Sequence, residues 1–546
     1  MTFLGIDRTL HPSLDEINFL QAGTGAVQRD AQSKMRDIVS VKDFGAVGDG
    51  VTDDTAAIQA AIDAFSATVG TVILPPGDYK LTATVTKSAN QNFTLRGSGN
   101  GVTRLICTGT HGLQFTPTSQ NIRLSLSDFD LVADKAAAGR ALDIQYPAPT
   151  GLVTPQVRIE NIDVYGSSNS NYFDRGVSLL NASICFIENC LINGQGGNPT
   201  TIPSAYGIYL EGTFDVNIKN CRLTFWQSAV YVYDYAEGVS LQRVVVEYSD
   251  HGFRKEVVGA TPVTEALEFH IADSHLTCRK RGILMAEVKA WFISNVHIQT
   301  RDDAASPITA GSAFGLTDFV GIEVQGVAIS PETETDLAVI ENVIFYASTA
   351  NNSKAVITGL VAADTKNLVI RDSTFGNCGL GMWLQSDTED TKIEGIKFLS
   401  CTTDITDDGT RNDTPANRNP SAELVEGSAI SLSTGVAANV TSLTLPAGDW
   451  ELFANFAFKG NAATTVSFLY GSISTTSATV DVGTGKQTQM PFNAETIFNF
   501  ASPTNIMTGP ARFTFTSPTA VYMVAVASFG VNTCTVYGRL SARRRM

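Results

Sequence analysis

The chain has 546 residues, of which 43% are hydrophobic and 17% charged, the make-up of an ordered protein and not of a disordered one. It is too long for one compact core unless it is a solenoid, which grows by adding coils. A formal charge of −16 excludes generic nucleic-acid binding, which rests on neutralising phosphates with Lys and Arg.

Residues 1–40 are polar, carry Asp7, Asp15 and Glu16, and include the turn-like Gly23-Thr24-Gly25. They cannot build a core and read as an extended arm or a short helix awaiting a partner. Nothing there has the apolar run of a signal peptide, and nowhere do roughly 18 apolar residues follow one another as a membrane span needs. The expectation is a soluble chain made in the cytoplasm, with no membrane partner.

The stretch Val41 to Ile62 opens with a turn built from Gly45, Gly48, Asp49 and Gly50. Thr52 or Asp54 can cap a following helix, in which Ile58, Ala61, Ile62 and Phe65 form one apolar stripe. Such a helix would cover the open end of a solenoid. Thr71 to Tyr79, with Pro75-Pro76-Gly77 inside it, reads as the first strand and turn.

From Leu126 to Ile396 the sequence repeats itself. Ile187-Glu188-Asn189-Cys190 returns as Ile218-Lys219-Asn220-Cys221, and the same frame appears at Ile159-Glu160-Asn161, Ile293-Ser294-Asn295, Ile340-Glu341-Asn342 and Ile370-Arg371-Asp372. A second short strand precedes most copies, as in Gly176-Val177-Ser178-Leu179, Gly207-Ile208-Tyr209-Leu210 and Ala229-Val230-Tyr231-Val232. Alternating strands at a period of about 20–50 residues, without long helices between them, predict the stacked coils of a parallel β-helix. Asn or Asp after the strand suits a tight bend, because it tolerates left-handed backbone. Cys190 and Cys221, and likewise Cys378 and Cys401, hold equivalent positions, so these cysteines read as stacked buried thiols about 4.8 Å apart and not as a disulfide framework. No Cys-x-x-Cys or His cluster of zinc type occurs, and neither a metal nor a cofactor is expected.

Residues 402–421, rich in Thr, Asp, Asn and Pro, read as a linker. Beyond them, Trp450 to Phe458, Arg512 to Phe515 and Val521 to Val526 alternate between Gly, Thr and Ser turns, the pattern of an antiparallel sandwich over 422–546. The chain is therefore expected to be all-β, with residues 1–40 an arm, 41–401 the β-helix behind its capping helix, 402–421 the linker and 422–546 the sandwich.

The run Val41 to Ile62, followed by Val72-Ile73-Leu74-Pro75-Pro76-Gly77-Asp78-Tyr79, resembles the opening of the pectate-lyase-like domain in bacteriophage tailspikes. Gln21 to Val27 with Ser33-Lys34-Met35-Arg36-Asp37 is similar to the segment before it in capsule-degrading spikes. The likeness spans about residues 20–400 and is specific for the fold, not for the substrate. It implies a right-handed β-helix, a homotrimer in the virion, an arm 1–40 anchored to the phage tail or another tail protein, and cleavage of host capsular or other surface polysaccharide. The close, Val536 to Arg543, looks like the last strand of trimeric jelly-roll modules, which would make 422–546 a trimerising and sugar-binding module.

On a solenoid a sugar site needs aromatic faces and paired carboxylates, about 5–5.5 Å apart for retention or 6.5–9.5 Å for inversion. Groups one or two coils apart meet these spacings. Tyr206 to Asp303 is the richest stretch. Glu211, Asp234, Glu247, Asp250 and Asp302 are the candidate acids and bases, and Tyr209, Trp226, Tyr231, Tyr233, Glu237, His251 and Arg301 the candidate substrate contacts. For any single acid, plain solvation competes with catalysis, and the tyrosines could equally pack on another chain. The polygalacturonase order of Asn-Thr-Asp, Asp-Asp and Gly-His-Gly fails, because Asp250-His251-Gly252 precedes Asp302-Asp303. Asp49, Asp53 and Asp54 are explained by a turn and helix capping without the calcium of pectate lyases. Hydrolysis by paired carboxylates is the first expectation. β-Elimination remains open, with His251 or a tyrosine as base and Arg243, Arg254 or Arg301 neutralising a uronate, as does a spike that binds without cleaving.

Overall fold

The structure, a computed structural model, describes residues 17–65, 69–149, 156–196, 202–256, 268–286, 288, 290–300, 319–325, 337–347, 357–363, 365–386, 388–408, 421–460, 464–492, 503–530 and 533–545. The chain divides into two compact units, one reaching Asp408 and the other covering Gly409–Met546 with Glu389–Ile393.

The first unit is a right-handed parallel β-helix. Each coil contributes up to three short strands, and each strand pairs in parallel with its equivalents in the coils before and after. Face A contains the rungs 206–211, 228–233 and 251–256 in register. Face B contains 217–219, 239–242 and 269–272. Face C contains 191–193, 222–224 and 245–247.

The corner from B to C is the repeated Asn or Asp of the sequence. Asp128, Asn161, Asn189, Asn220, Asp273, Asn295, Asn342 and Asp372 all have φ between 50° and 65°. This is the left-handed region that Asn and Asp tolerate better than other side chains with a Cβ. Their side chains also bond along the stack: Asn161 Nδ2 donates to Asp128 Oδ1 at 3.0 Å, and Asn220 Nδ2 to Asn189 Oδ1 at 3.1 Å. Arg243 occupies the same corner at φ 55° without that advantage.

Inside, alternate residues stack as apolar columns. On face A one column runs Leu142, Val177, Ile208, Val230, Phe253, Ile283, Ile322, every member at most 1% exposed. Each such side chain contributes about 1.5–3 kcal/mol on burial, so the solenoid is stabilised coil by coil. Next to this column the chain needs glycine: a Cβ on Gly207 would lie 2.5 Å from the carbonyl oxygen of Ala229. All eight cysteines are free thiols, and Cys378 Sγ lies 3.0 Å from Cys401 Sγ.

At the N-terminal end, helix Thr55–Asp63 buries Ile58, Ala61 and Ile62. Asp54 holds the N-cap position but makes no side-chain cap bond. Its carboxylate instead accepts from the Val47 and Gly48 N–H groups, and Asp53 bonds the Thr55 N–H and the Thr55 and Thr82 hydroxyls. Asp49 closes its own turn onto Val51 and Thr52. Residues 17–40 contain a two-stranded ribbon, Asn18–Phe19 with Arg29–Asp30, and a helix Ala31–Met35, while Val39–Ser40 already pairs with Val72–Ile73.

At the other end, Thr403–Asp407 adds one more rung beside Leu380–Leu384. Part of the expected linker is therefore solenoid. Its composition hides this, because only Ile405 fills an inward position, stacked on Met382. Residues 409–420 lie outside the described residues.

The second unit is an antiparallel sandwich. One sheet contains Ser421–Leu424, Ile430–Leu432, Cys534–Arg544, Gly448–Gly460 and Thr504–Phe515, and the other Ala438–Leu445, Thr519–Phe529, Val466–Ser474 and Gln487–Pro491. The alternation of Trp450, Leu452, Ala454, Phe456 and Phe458 turns those five side chains into the core between the sheets.

Candidate functional site

Face A carries a wall of four tyrosines across two coils. Side chains that alternate along a strand put Tyr209 and Tyr231 in one outward column, with Glu211 and Tyr233 in the next. The rings pack on one another: Tyr206 stacks on Tyr231 with centroids 4.4 Å apart, and Tyr209 lies 5.8 Å from Tyr231 and 6.2 Å from Tyr233. Arg175 covers Tyr209 at 3.9 Å, and Arg254 lies over Tyr231 at 5.4 Å, both cation–π contacts. As a result Tyr209 and Tyr231 are only 7% and 4% exposed, while Tyr206 and Tyr233 are half-buried and keep an open edge.

The acids beside this wall are Glu211 and Glu256. The Tyr209 hydroxyl donates to Glu211 Oε2 at 2.7 Å, and Arg254 pairs with Glu256 at 2.6 Å. The register sets Glu211, Tyr233 and Glu256 on three successive rungs, so the two carboxylates leave the backbone about 9.6 Å apart. Burial, then the Glu211 bond, pushes the Tyr209 phenol well above its usual value; burial and the Glu256 charge do the same to Tyr231.

Farther along face A, Arg281 and Glu323 form an ion pair in which each side chain is 3% exposed. Burial raises the Glu323 carboxyl, Arg281 opposes that rise, and the Glu256 charge adds to it. His251 lies between Ser228 and Arg281 in the ladder, and its Nδ1 is buried without a hydrogen-bond partner. Burial and the nearby charges of Arg254, Lys280 and Arg281 hold it well below the ordinary imidazole range, so it is neutral at neutral pH.

The other expected site residues are dispersed. Trp226 is fully buried, its indole N–H donating to the Ile192 carbonyl at 2.9 Å, so it is a core side chain and not a sugar platform. Asp250 is 6% exposed and held between Arg279 and Lys280, each at 2.7 Å, which leaves it no open oxygen for acid–base work. Glu247 stands on face C, opposite Thr224 and paired with Arg222, because the strand Val245–Glu256 shifts register past Val246 and joins the face A ladder at His251. Glu237 lies past a register shift, opposite Phe214 where face B begins. Asp234 is in the strand Ser228–Glu237, but its side chain, like all of Arg301, Asp302 and Asp303, lies outside the described residues. Glu256 and Glu323 were missed by the sequence reading. Glu256 could have been found, since Arg254-Lys255-Glu256 repeats the frame of Tyr231-Val232-Tyr233 one coil later. Glu323 had no signal in sequence, because its burial follows from the fold. Among the described residues, no three His, Cys, Asp or Glu side chains come close enough to hold a metal ion.

The chain is similar to parts of several known proteins. Residues 38–254 match the family described as rhamnogalacturonase A/epimerase, pectate lyase-like. The chain is 53% identical over 70 residues to mannuronan C5-epimerase AlgE6 of Azotobacter vinelandii, a match covering 12% of this chain and 8% of that protein. It is 29% identical over 205 residues to the capsule KN3-specific depolymerase 1 of Klebsiella phage KN3-1, covering 33% of this chain and 24% of that one. The tailspike of E. coli bacteriophage HK620 superposes over 98% of each chain with a TM-score of 0.46 and 12% identity. The chain thus spans about a quarter or less of the length of these two curated relatives.

Proposed function

We propose that the protein is a phage tailspike depolymerase that cuts a bacterial surface polysaccharide on face A by glycoside hydrolysis. The observation that carries this reading is Glu211 and Glu256 flanking Tyr233 in one outward column. Their backbones lie about 9.6 Å apart, just above the 6.5–9.5 Å between carboxyl groups that lets a water attack from the side opposite the leaving group, a difference that two Glu side chains can close. One carboxyl gives its proton to the departing glycosidic oxygen and the other takes a proton from water. Tyr233 and the open edge of Tyr206 support the apolar faces of the sugar rings, and Arg254 fixes Glu256. The likeness to a phage capsule depolymerase supports the substrate class and a place in the phage tail. A homotrimer, attachment to the tail through residues 1–40 and sugar binding by the second unit belong to the same proposal.

A second reading is β-elimination on a uronate. The neutral imidazole of His251, with an unpartnered Nδ1 beside Arg254, favours it: a base next to a cation that can neutralise the substrate carboxylate. One assay separates the readings. Purified capsule from a susceptible strain is incubated with the protein while chain length, reducing ends and the ultraviolet band of unsaturated uronate are followed. Shorter chains without that band support hydrolysis. The band would transfer the mechanism to His251, and intact polymer with retained binding would leave an adhesin.

A further inference from the structure

A second concave site lies on face C, reaching from the coil of Asp130 to Phe225, which follows the face-C strand of the Tyr206–Glu211 coil. It is a cleft of about 710 Å³ whose lining includes Asn100, Asp130, Asp163, Tyr165, Asn169 and Phe225. The strand register puts Asp130 and Asp163 directly opposite each other on adjacent rungs, about 4.8 Å apart. Asp130 is 1% exposed. Its Oδ2 accepts from the Tyr165 hydroxyl at 2.9 Å and from the Gly101 N–H at 3.0 Å, while its Oδ1 has no partner. Asp163 Oδ1 receives only a long bond, 3.3 Å, from the Leu191 N–H, and Asn100 also reaches this carboxylate. Burial pushes both carboxyls above the usual range, and the Asp163 charge adds to the effect at Asp130. The nearest column neighbour of opposite charge, Arg104, pairs with Asp78 and offsets only part of the effect of burial on Asp130.

A buried carboxylate oxygen without a donor is costly, by about 1–3 kcal/mol or more, unless something supplies the hydrogen bond. The cleft also has an aromatic floor at one end, where Phe225 stacks on Tyr248 of the next coil with centroids 5.0 Å apart. We propose that this cleft is a second saccharide-binding site, distinct from face A, which takes an uncharged sugar through hydroxyl donors to Asp130 and Asp163 and through ring stacking on Phe225. Two adjacent carboxyls accept the two hydrogens of a vicinal diol and repel a uronate or sialate. Amide side chains at Asn100 and Asn169 can both donate and accept, as a polyhydroxylated ring requires.

The test uses the full chain and three neutral probes, maltotriose, cellotriose and mannotriose, with trigalacturonate as the anionic control. Binding is followed by saturation-transfer NMR and calorimetry. At least one neutral trisaccharide is expected to bind, and trigalacturonate is not expected to bind at this cleft. Phe225→Ala, through lost ring stacking, and Asp130→Asn, through a lost charge-assisted contact, should each weaken binding at the cleft about tenfold, while Tyr233→Ala on face A leaves binding at the cleft unchanged. Phe225 is half-buried, so its variant keeps the test valid should Asp130→Asn fail to fold. The proposal is overturned if no neutral probe binds. It is equally overturned if binding disappears in Tyr233→Ala but survives Phe225→Ala, or if trigalacturonate competes for the same cleft. Because cleavage is assigned to Glu211 and Glu256, loss of cleavage in Glu256→Gln with binding at this cleft intact separates failure of one reading from failure of the other.

Discussion

Two parts of the solenoid between Ser178 and Glu256 follow opposite rules, with Arg243 the exception at its corner. At the B–C corner the coils repeat: Asn189 and Asn220 share a backbone conformation, and an amide of one bonds the amide of the other. On face A the outward column varies along the stack, from Ser178 to the tyrosine pair Tyr209 and Tyr231 and then to Arg254. The contrast follows from what each position must do. A corner solves the same steric problem in every coil, so one residue type recurs. An outward column is free of that demand, and its residues can instead be selected for what they touch. On this fold, repetition marks scaffold and departure from repetition marks the site.

The largest expected effect breaks the irregular side of the comparison. Glu256→Gln and Glu211→Gln should each lower kcat on the polysaccharide about 10²–10⁴-fold while leaving the melting temperature within a degree or two, since neither carboxylate is fully buried and Gln keeps the shape of the side chain. Equal losses of activity and stability would assign them to the scaffold. Next comes Arg281→Met, which strands Glu323 in the interior and should cost about 3–5 kcal/mol in chemical denaturation. The double change Arg281→Met with Glu323→Leu should recover much of that loss.

On the repetitive side, Asn220→Ala should cost about 1–2 kcal/mol through the left-handed backbone. Asn220→Gly, which accepts that backbone and loses only the amide bond, should cost less, and neither should alter kcat. His251 supplies a pH signature. Its imidazole is depressed in the folded protein, so below the ordinary value near 6.5 the unfolded chain gains a proton that the folded chain refuses. The stability it contributes is complete above about 6.5 and is lost as pH falls, by up to about 1.4 kcal/mol per pH unit. Urea unfolding at pH 7 and 5 should therefore show a smaller acid loss in His251→Gln than in the parent chain. The smallest effect is a gain: Arg243→Asn, which returns the repeated residue to its corner, should stabilise the solenoid by up to about 1 kcal/mol.

The same distinction explains what could be read from sequence. The β-helix, the Asn corners, the stacked free thiols and the sandwich alternation were legible because each is a rule applied many times. The tyrosines were legible as outward residues, but their mutual stacking was not, and it turns Tyr209 and Tyr231 from open platforms into covered ones. Asp250 and Trp226 looked functional because a sugar site needs carboxylates and aromatic faces. Their partners, Arg279, Lys280 and the Ile192 carbonyl, lie one coil away, where only the register reveals them. Glu247 and Glu211 look equivalent in the chain, yet they stand on different faces, because the coil turns between Val246 and His251.

The central claim is that Glu211 and Glu256, two rungs apart, form the catalytic pair. The measurement that reaches it most directly is the anomeric configuration of the first reducing ends released, read by proton NMR before mutarotation. A two-rung spacing predicts inversion of the configuration of the cleaved bond, with the signal abolished in both Glu211→Gln and Glu256→Gln. Retained configuration, or full activity in either variant, would contradict it.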